Sequence, residues 1–168
     1  MDFELKKLSP KAVPKAFEKA QRYRLLNQPA QAESIARDIL RIEPDHQEAL
    51  VLLLLALTDQ FETSSLTDRF KRAEEVVSRL SDEYRARYYQ GIIYERRALA
   101  QLRKDHLPAS LSGVYHWLRR AMDEFEAAEK MRPEGNDEAL LRWNSCARII
   151  RDCNLEAEEE DSFRPLLE

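Results

Sequence analysis

The stretch from Ala121 to Pro133, AMDEFEAAEKMRP, constrains the fold more than any other. Ala121, Phe125 and Ala128 recur at spacings of four and three, and a proline follows five residues later. Ala32 to Pro44, AESIARDILRIEP, repeats the scheme with Ala32, Ala36, Ile39 and Pro44. Such spacings set the residues on one stripe of a helix. Small side chains let a second helix come close, and proline ends a helix because it lacks the N–H for a further turn. Two copies of one helix-and-stop device point to an array of repeats.

Length and composition narrow the class. At 168 residues and 19.7 kDa the chain makes one domain of ordinary size. Such a domain buries about 68–70% of its unfolded surface and needs no metal or disulfide to hold a core. The chain has only three glycines and no run of β-branched alternation, so the expected class is all-α. Cys146 and Cys153 lie two turns apart on one predicted helix, about 10 Å, which is beyond disulfide reach. They read as reduced residues of an intracellular protein. The opening MDFELKKLSPK lacks the apolar stretch of a secretion signal. The longest apolar run, Ala49 to Leu57, is nine residues, about half a membrane span. A cytoplasmic location without membrane contact is the expectation.

The net charge of −4 is unevenly placed. Residues 84–120 carry eight Lys/Arg against two Asp/Glu, whereas residues 121–168 carry six against fourteen. A basic middle beside an acidic end either steers a charged partner or attracts its own other half.

Residues 1–9 form a lead-in. Ser9 suits the cap of a helix that starts near Pro10 and runs to about Leu26, with Pro14 confined to its opening turns. Asn27 suits a left-handed C-cap, and Pro29 restarts the chain as a second helix to Ile42. Asp45 is placed to cap a third helix to about Phe61. Its centre, ALVLLLLAL, is apolar all round and must be covered on more than one side. Ser65 with Asp68 resembles a capping box for a helix to Leu80, and Ser81 suits the cap of a long helix to Lys104. Gly91 inside that helix costs about 1 kcal/mol against alanine, so a close helix approach is expected there. Pro108 opens another long helix to Met131, and Asn136 caps a last one to about Cys153. The two long helices predict a projecting hairpin. Ala98, Leu99 and Leu102 would face Leu107, Leu111 and Val114, with Arg96, Arg97, Arg103 and Lys104 outside. The run EAEEED after Asn154 is too charged to pack.

The small–aromatic–small–proline scheme resembles the second helix of the tetratricopeptide repeat, a helix–turn–helix unit of about 34 residues. Val13 to His46 has that length and carries Tyr23, Ala32 and Pro44, with Ala20 where a small residue belongs. Gly91 and Tyr94 are similar to the small–x–x–Tyr pair of a first helix. The resemblance implies units at 13–46, 47–83 and 84–133 and a solubilising cap at 136–153. The second unit lacks the proline, and the third is about sixteen residues longer than the repeat. One domain over 10–153 is implied, a right-handed superhelix of antiparallel helix pairs plus the capping helix, with an acidic, flexible tail at 154–168. The family's concave groove, lined by the first helix of each pair, maps to Phe17, Gln21 and Arg24 and then to Val51, Leu55 and Thr58. It continues through Tyr88, Ile92 and Glu95 to Glu138 and Arg142. Such a groove implies scaffold, adaptor or chaperone-like work on a protein or peptide. A subgroup of the family clamps terminal carboxylates with Lys and Asn. Phe17, Val51 and Leu55 stand at those positions here, so that chemistry is not expected.

Neither an enzyme nor a cofactor or metal is expected. The sequence has no HExxH, no CxxC and no glycine-rich phosphate loop. His46 at a helix start, His106 in a turn and His116 on a polar side occupy capping or surface positions. Glu124, Glu126 and Glu129, with Lys130 and Arg132 nearby, read as solvated charge rather than acid–base groups. Two other readings stay open. The arginines of 84–120, interleaved with Tyr84, Tyr88, Tyr89 and Tyr94, suit a nucleic-acid or acidic-surface binder, or the chain is a structural subunit that dimerises through the groove. Val51, Leu55 and part of Thr58 are expected to point into the concavity beside Tyr88 and Ile92. Leaving such side chains in water forgoes about 1.5–3 kcal/mol each. A peptide, a second copy or the tail, through Phe163, Leu166 and Leu167, is expected to cover them.

Overall fold

The computed structural model describes residues 3–62, 66–104 and 108–157, and the side chains of 108–110 are not among them. The described residues form seven α-helices and no strand. After a 3-10 turn at Pro10–Ala12 come α1 (Val13–Leu25), α2 (Pro29–Ile42), α3 (Gln47–Thr58) and α4 (Leu66–Val77). The longer α5 (Glu83–Lys104) and α6 (Pro108–Lys130) follow, and then α7 (Glu138–Asp152). No helix among the described residues is long and apolar enough to cross a membrane.

Local chemistry sets the ends. Asn27 takes a left-handed φ of 57°. Gln28 N–H then donates to Tyr23 O at 2.8 Å and Asn27 N–H to Arg24 O at 3.0 Å, the paired bonds of a Schellman stop. Asn154 repeats the device at φ 50°, with Leu155 N–H donating to Ile150 O at 2.9 Å. The second stop turns Leu155 back into the core, although the charge run around it places it in the tail by sequence. Three caps differ from expectation. His46 rather than Asp45 caps α3, its Nδ1 accepting from Ala49 N–H at 3.2 Å. Asp82 rather than Ser81 accepts the Arg85 N–H, at 2.7 Å. A carboxylate has more acceptor sites than a hydroxyl and also meets the helix dipole favourably. Ser9 caps nothing with its side chain. Ser65 lies outside the described residues.

Side-chain pairings give the helix directions. Gly91 meets Phe125, Tyr94 meets Arg120 and Arg97 meets Trp117, so α5 and α6 run antiparallel. Glu48 pairs with Arg85 and Asp59 with Arg96, a constant offset that makes α3 and α5 parallel. Phe17 on His46 and Arg24 on Asp59 relate α1 to α3 in the same way. Helices α1, α3, α5 and α7 therefore share one layer. The other holds α2, α4 and α6, joined through Glu33 with Arg69 and Arg72 and through Phe70 with Trp117. Ala20, Ala32, Ala36, Ala121, Phe125 and Ala128 are fully buried between the layers. The core centres on α3, covered by α1, α2, α4 and α5.

In the long hairpin, Ala98 and Val114 are fully buried, and Leu102 and Leu111 pack on the core. Asp105–Leu107, and with it the expected contact of Leu107, lies outside the described residues. Arg97 is not outside. Its guanidinium lies between the Phe70 and Trp117 rings, 4.2 Å from each centroid. Arg120 lies 4.2 Å over Tyr94, and its Nη2 donates to the Tyr94 hydroxyl at 2.7 Å. Cation–π contact is worth about 2 kcal/mol when desolvated, which offsets part of the cost of burying an arginine.

Gly91 marks the closest crossing. A Cβ there would sit 2.5 Å from Cε1 of Phe125, a fully buried ring. Overpacking costs about 1–3 kcal/mol and the helical gain from alanine returns about 1. We expect Gly91→Ala to lower stability by up to about 2 kcal/mol in urea titration. A variant as stable as wild type would show that Phe125 yields.

Candidate functional site

The α1–α3–α5–α7 layer carries a cleft in two parts. The first is a cavity of about 280 Å³ bounded by Phe17, Gln21, Arg24, Leu25, Glu48, Val51, Leu52 and Leu55. The second, of about 560 Å³, runs on past Thr58, Asp59, Glu62, Glu95, Arg96, Leu99, Arg103 and Arg142. Arg24 and Leu25 bound both, and Leu25 is 85% exposed at the junction.

Of the residues mapped to the groove, Phe17, Gln21, Arg24, Val51 and Leu55 meet in the first cavity, and Arg24, Thr58, Glu95 and Arg142 in the second. Val51 and Thr58 are buried and Leu55 is half-buried, so this floor offers less bare surface than expected. Phe17 and Arg24 lean across it, held by the His46 ring 5.7 Å from Phe17 and by Asp59. Tyr88, Ile92 and Glu138 line neither cavity. Ile92 is core, Tyr88 is wedged among Tyr84, Tyr89 and Phe125, and Glu138 is exposed. On α5 the cleft is lined by Glu95, which was mapped to it, and then by Arg96, Leu99 and Arg103, which continue toward the C-terminal end of the helix. Asp59, Glu62, Arg96 and Arg103 were missed as site residues. Their signal was the continuation of the Val51–Leu55 stripe at helical spacing into two carboxylates.

Ion pairs organise the second cavity. Arg24 Nε donates to Asp59 Oδ2 at 2.6 Å while Arg96 holds Oδ1, so one carboxylate ties α1, α3 and α5 together. Arg103 holds Glu62. Glu95 is 2% exposed and accepts from Arg142 Nη1 at 3.1 Å. Burial lifts the Glu95 carboxyl above its ordinary range, with Arg142 and then Arg96 pulling the other way. Among the described residues no group of three or more His, Cys, Asp and Glu is brought together to hold a metal. His106 lies outside those residues. Glu124 pairs with Arg87 and Glu129 with Arg132, while Glu126 accepts from Trp143 Nε1 at 2.8 Å.

Comparison of the chain with family models, curated proteins and solved structures finds no match.

A carboxyl raised on folding costs stability when it ionises. That cost is absent below the unfolded value and grows as pH rises toward the folded one. Glu95→Gln removes it. The variant should gain on wild type at neutral pH and lose that gain below about pH 4. Urea titrations at the two pH values check this, and a difference independent of pH would contradict it. The two thiols should also part. Burial pushes Cys146 up to about 12, whereas Cys153 is exposed. At about pH 8 a thiol reagent should label Cys153 at once and Cys146 only on unfolding. Two fast equivalents would show that Cys146 is open to solvent.

Proposed function

We propose that the chain is a non-catalytic interaction scaffold, a tetratricopeptide-like right-handed superhelix that holds a peptide or protein segment in its α1–α3–α5–α7 cleft. The observation that carries this reading is the continuity of the two cavities through Arg24 and Leu25. Helices packed 8–10 Å apart make a cleft across three of them about 20 Å long, the reach of about six extended residues. The apolar part takes an apolar anchor over Phe17, Leu52 and Leu55. The charged part presents Arg24, Arg96, Arg103 and Arg142 against Asp59, Glu62 and Glu95. One positive charge in excess favours an acidic residue beside that anchor, and the charged rim sets register. Helix pairing, a shared layer of odd-numbered helices and buried small residues on the repeat stripe support the superhelix. Work in the cytoplasm is part of the same proposal.

The nucleic-acid reading of 84–120 has less support. Arg85, Arg87, Arg96, Arg103 and Arg119 pair with carboxylates, and Arg97 and Arg120 lie on aromatic rings. Selection from a random peptide library on the purified chain tests the scaffold. Enriched peptides should carry an apolar residue next to Asp or Glu. They should lose binding to Leu55→Arg and to Arg103→Glu and keep most of it at about 500 mM salt, where only exposed charge is screened. Peptides indifferent to Leu55→Arg would overturn the assignment of the cleft.

A further inference from the structure

A second surface lies on the far side of α1, away from the cleft. Lys15, Lys19, Arg22 and Leu26 fall at helical spacing on one exposed stripe. With Glu18 and Tyr23 they bound a cavity of about 530 Å³ that, among the described residues, only α1 and its C-cap Leu26 line. Almost every arginine of the cleft has a carboxylate partner. Here, among the described residues, none of Lys15, Lys19 and Arg22 stands in an ion pair. Lys19 rests over the Tyr23 ring, 5.7 Å from its centroid, and Leu26 is exposed beside it. The stripe is thus basic for two turns and apolar at its end.

The chain itself carries the complement. Residues 158–168 read EEEDSFRPLLE, four acidic residues followed by Phe163, Leu166 and Leu167. The dimensions agree. Lys15 to Arg22 spans about 10.5 Å at 1.5 Å per helical residue, and Glu158 to Asp161 spans about 10 Å when extended. Arg22 to Leu26 adds about 6 Å, and Asp161 to Phe163 adds about 7 Å. The acidic block can lie on the three cations while Phe163 reaches Tyr23 and Leu26.

The segment cannot do this on its own α1. Ala157 lies against α6, beside Gly113, His116 and Arg119. From α6 the helix contacts run through α5 and α3 to α1, and the two steps within the α1–α3–α5 layer, at 8–10 Å each, already amount to about 16–20 Å. Asp161 is four residues from Ala157 and reaches about 14 Å at most. We infer that residues 158–168 of one copy dock on the Lys15–Lys19–Arg22–Leu26 face of a second copy, so that the protein associates with itself through an electrostatic contact. This contact is independent of the cleft and of what the cleft binds.

The test uses two full-length variants, one with Lys15→Glu, Lys19→Glu and Arg22→Glu, the other with Glu158→Lys, Glu159→Lys, Glu160→Lys and Asp161→Lys. Wild type should show a mass above the monomer that rises with concentration in light scattering at about 50 mM salt and falls to the monomer at about 500 mM. Each variant alone should stay monomeric, since its stripe and its segment now share a sign, and an equimolar mixture should associate. The second variant alters no described residue, so it reads the contact even if the first folds poorly. Wild type that is monomeric throughout overturns the inference, as does association that survives in both variants. Monomeric wild type that binds anionic vesicles or an oligonucleotide, and loses this with Lys19→Glu, would overturn it in favour of an external polyanion.

Discussion

Helix α3 cannot face water on any side, and the rest of the structure follows from that. Nine of its twelve residues are Val, Leu or Ala in one unbroken run of apolar side chains, and only Leu55 keeps partial exposure within that run. Each buried leucine is worth about 1.5–3 kcal/mol, an upper estimate because unfolded chains already hide some surface. Four covers are therefore needed, and α1, α2, α4 and α5 supply them. A helix surrounded in this way forces its neighbours into two layers. The cleft forms where α1 and α5 flank α3 in one layer and leave the ridge between them open.

Burial alone leaves the sliding of parallel helices undetermined, and charge removes that freedom. Asp59 is gripped from α1 and from α5, Glu48 and Glu62 hold α5 at two further heights, and Glu95 is held from α7. In the other layer Glu33 takes Arg37, Arg69 and Arg72 together with the Gln60 amide. Exposed pairs of this kind contribute about 0–1 kcal/mol each, so their energy is small. Register is another matter. A slip by one turn would strand Glu33 and Glu95, both buried, without their partners, and breaking a buried pair costs about 3–5 kcal/mol.

What could be read from the sequence was local. Asn27 before Pro29 announced a left-handed stop, Gly91 announced a close approach, and the spacing of Ala121, Phe125 and Ala128 announced a buried stripe. Each works through residues within a turn or two of one another. The misses were long-range or were near ties. Asp82 and Ser81 are both good caps, and the carboxylate is favoured by its acceptor capacity and by the helix dipole. Arg97 looked like a surface residue because its partners, Phe70 and Trp117, stand about twenty or more residues away on two other helices. How far along α5 the cleft lies depends on the height at which α5 packs beside α3, which no local pattern encodes. Five of the mapped groove residues, Phe17, Gln21, Arg24, Val51 and Leu55, come together because α1 and α3 are short and regular. Those on α5 scatter because that helix is long and crosses its partner tightly.

Charge shows the same division between sequence and space. Residues 84–120 are the most basic part of the chain by count, yet folding sets their arginines against carboxylates of α3 and α6 or onto aromatic faces. Residues 13–25 are no less basic for their length, with Lys15, Lys19, Arg22 and Arg24 against Glu18 alone. Folding turns Arg24 to Asp59 and leaves the other three on the opposite face without a carboxylate partner. Coulomb interaction decays over about 8–10 Å in physiological salt, so a partner senses local clusters and not segment totals. The unpaired basic stripe on α1 therefore stands apart from the segment that is most basic by count.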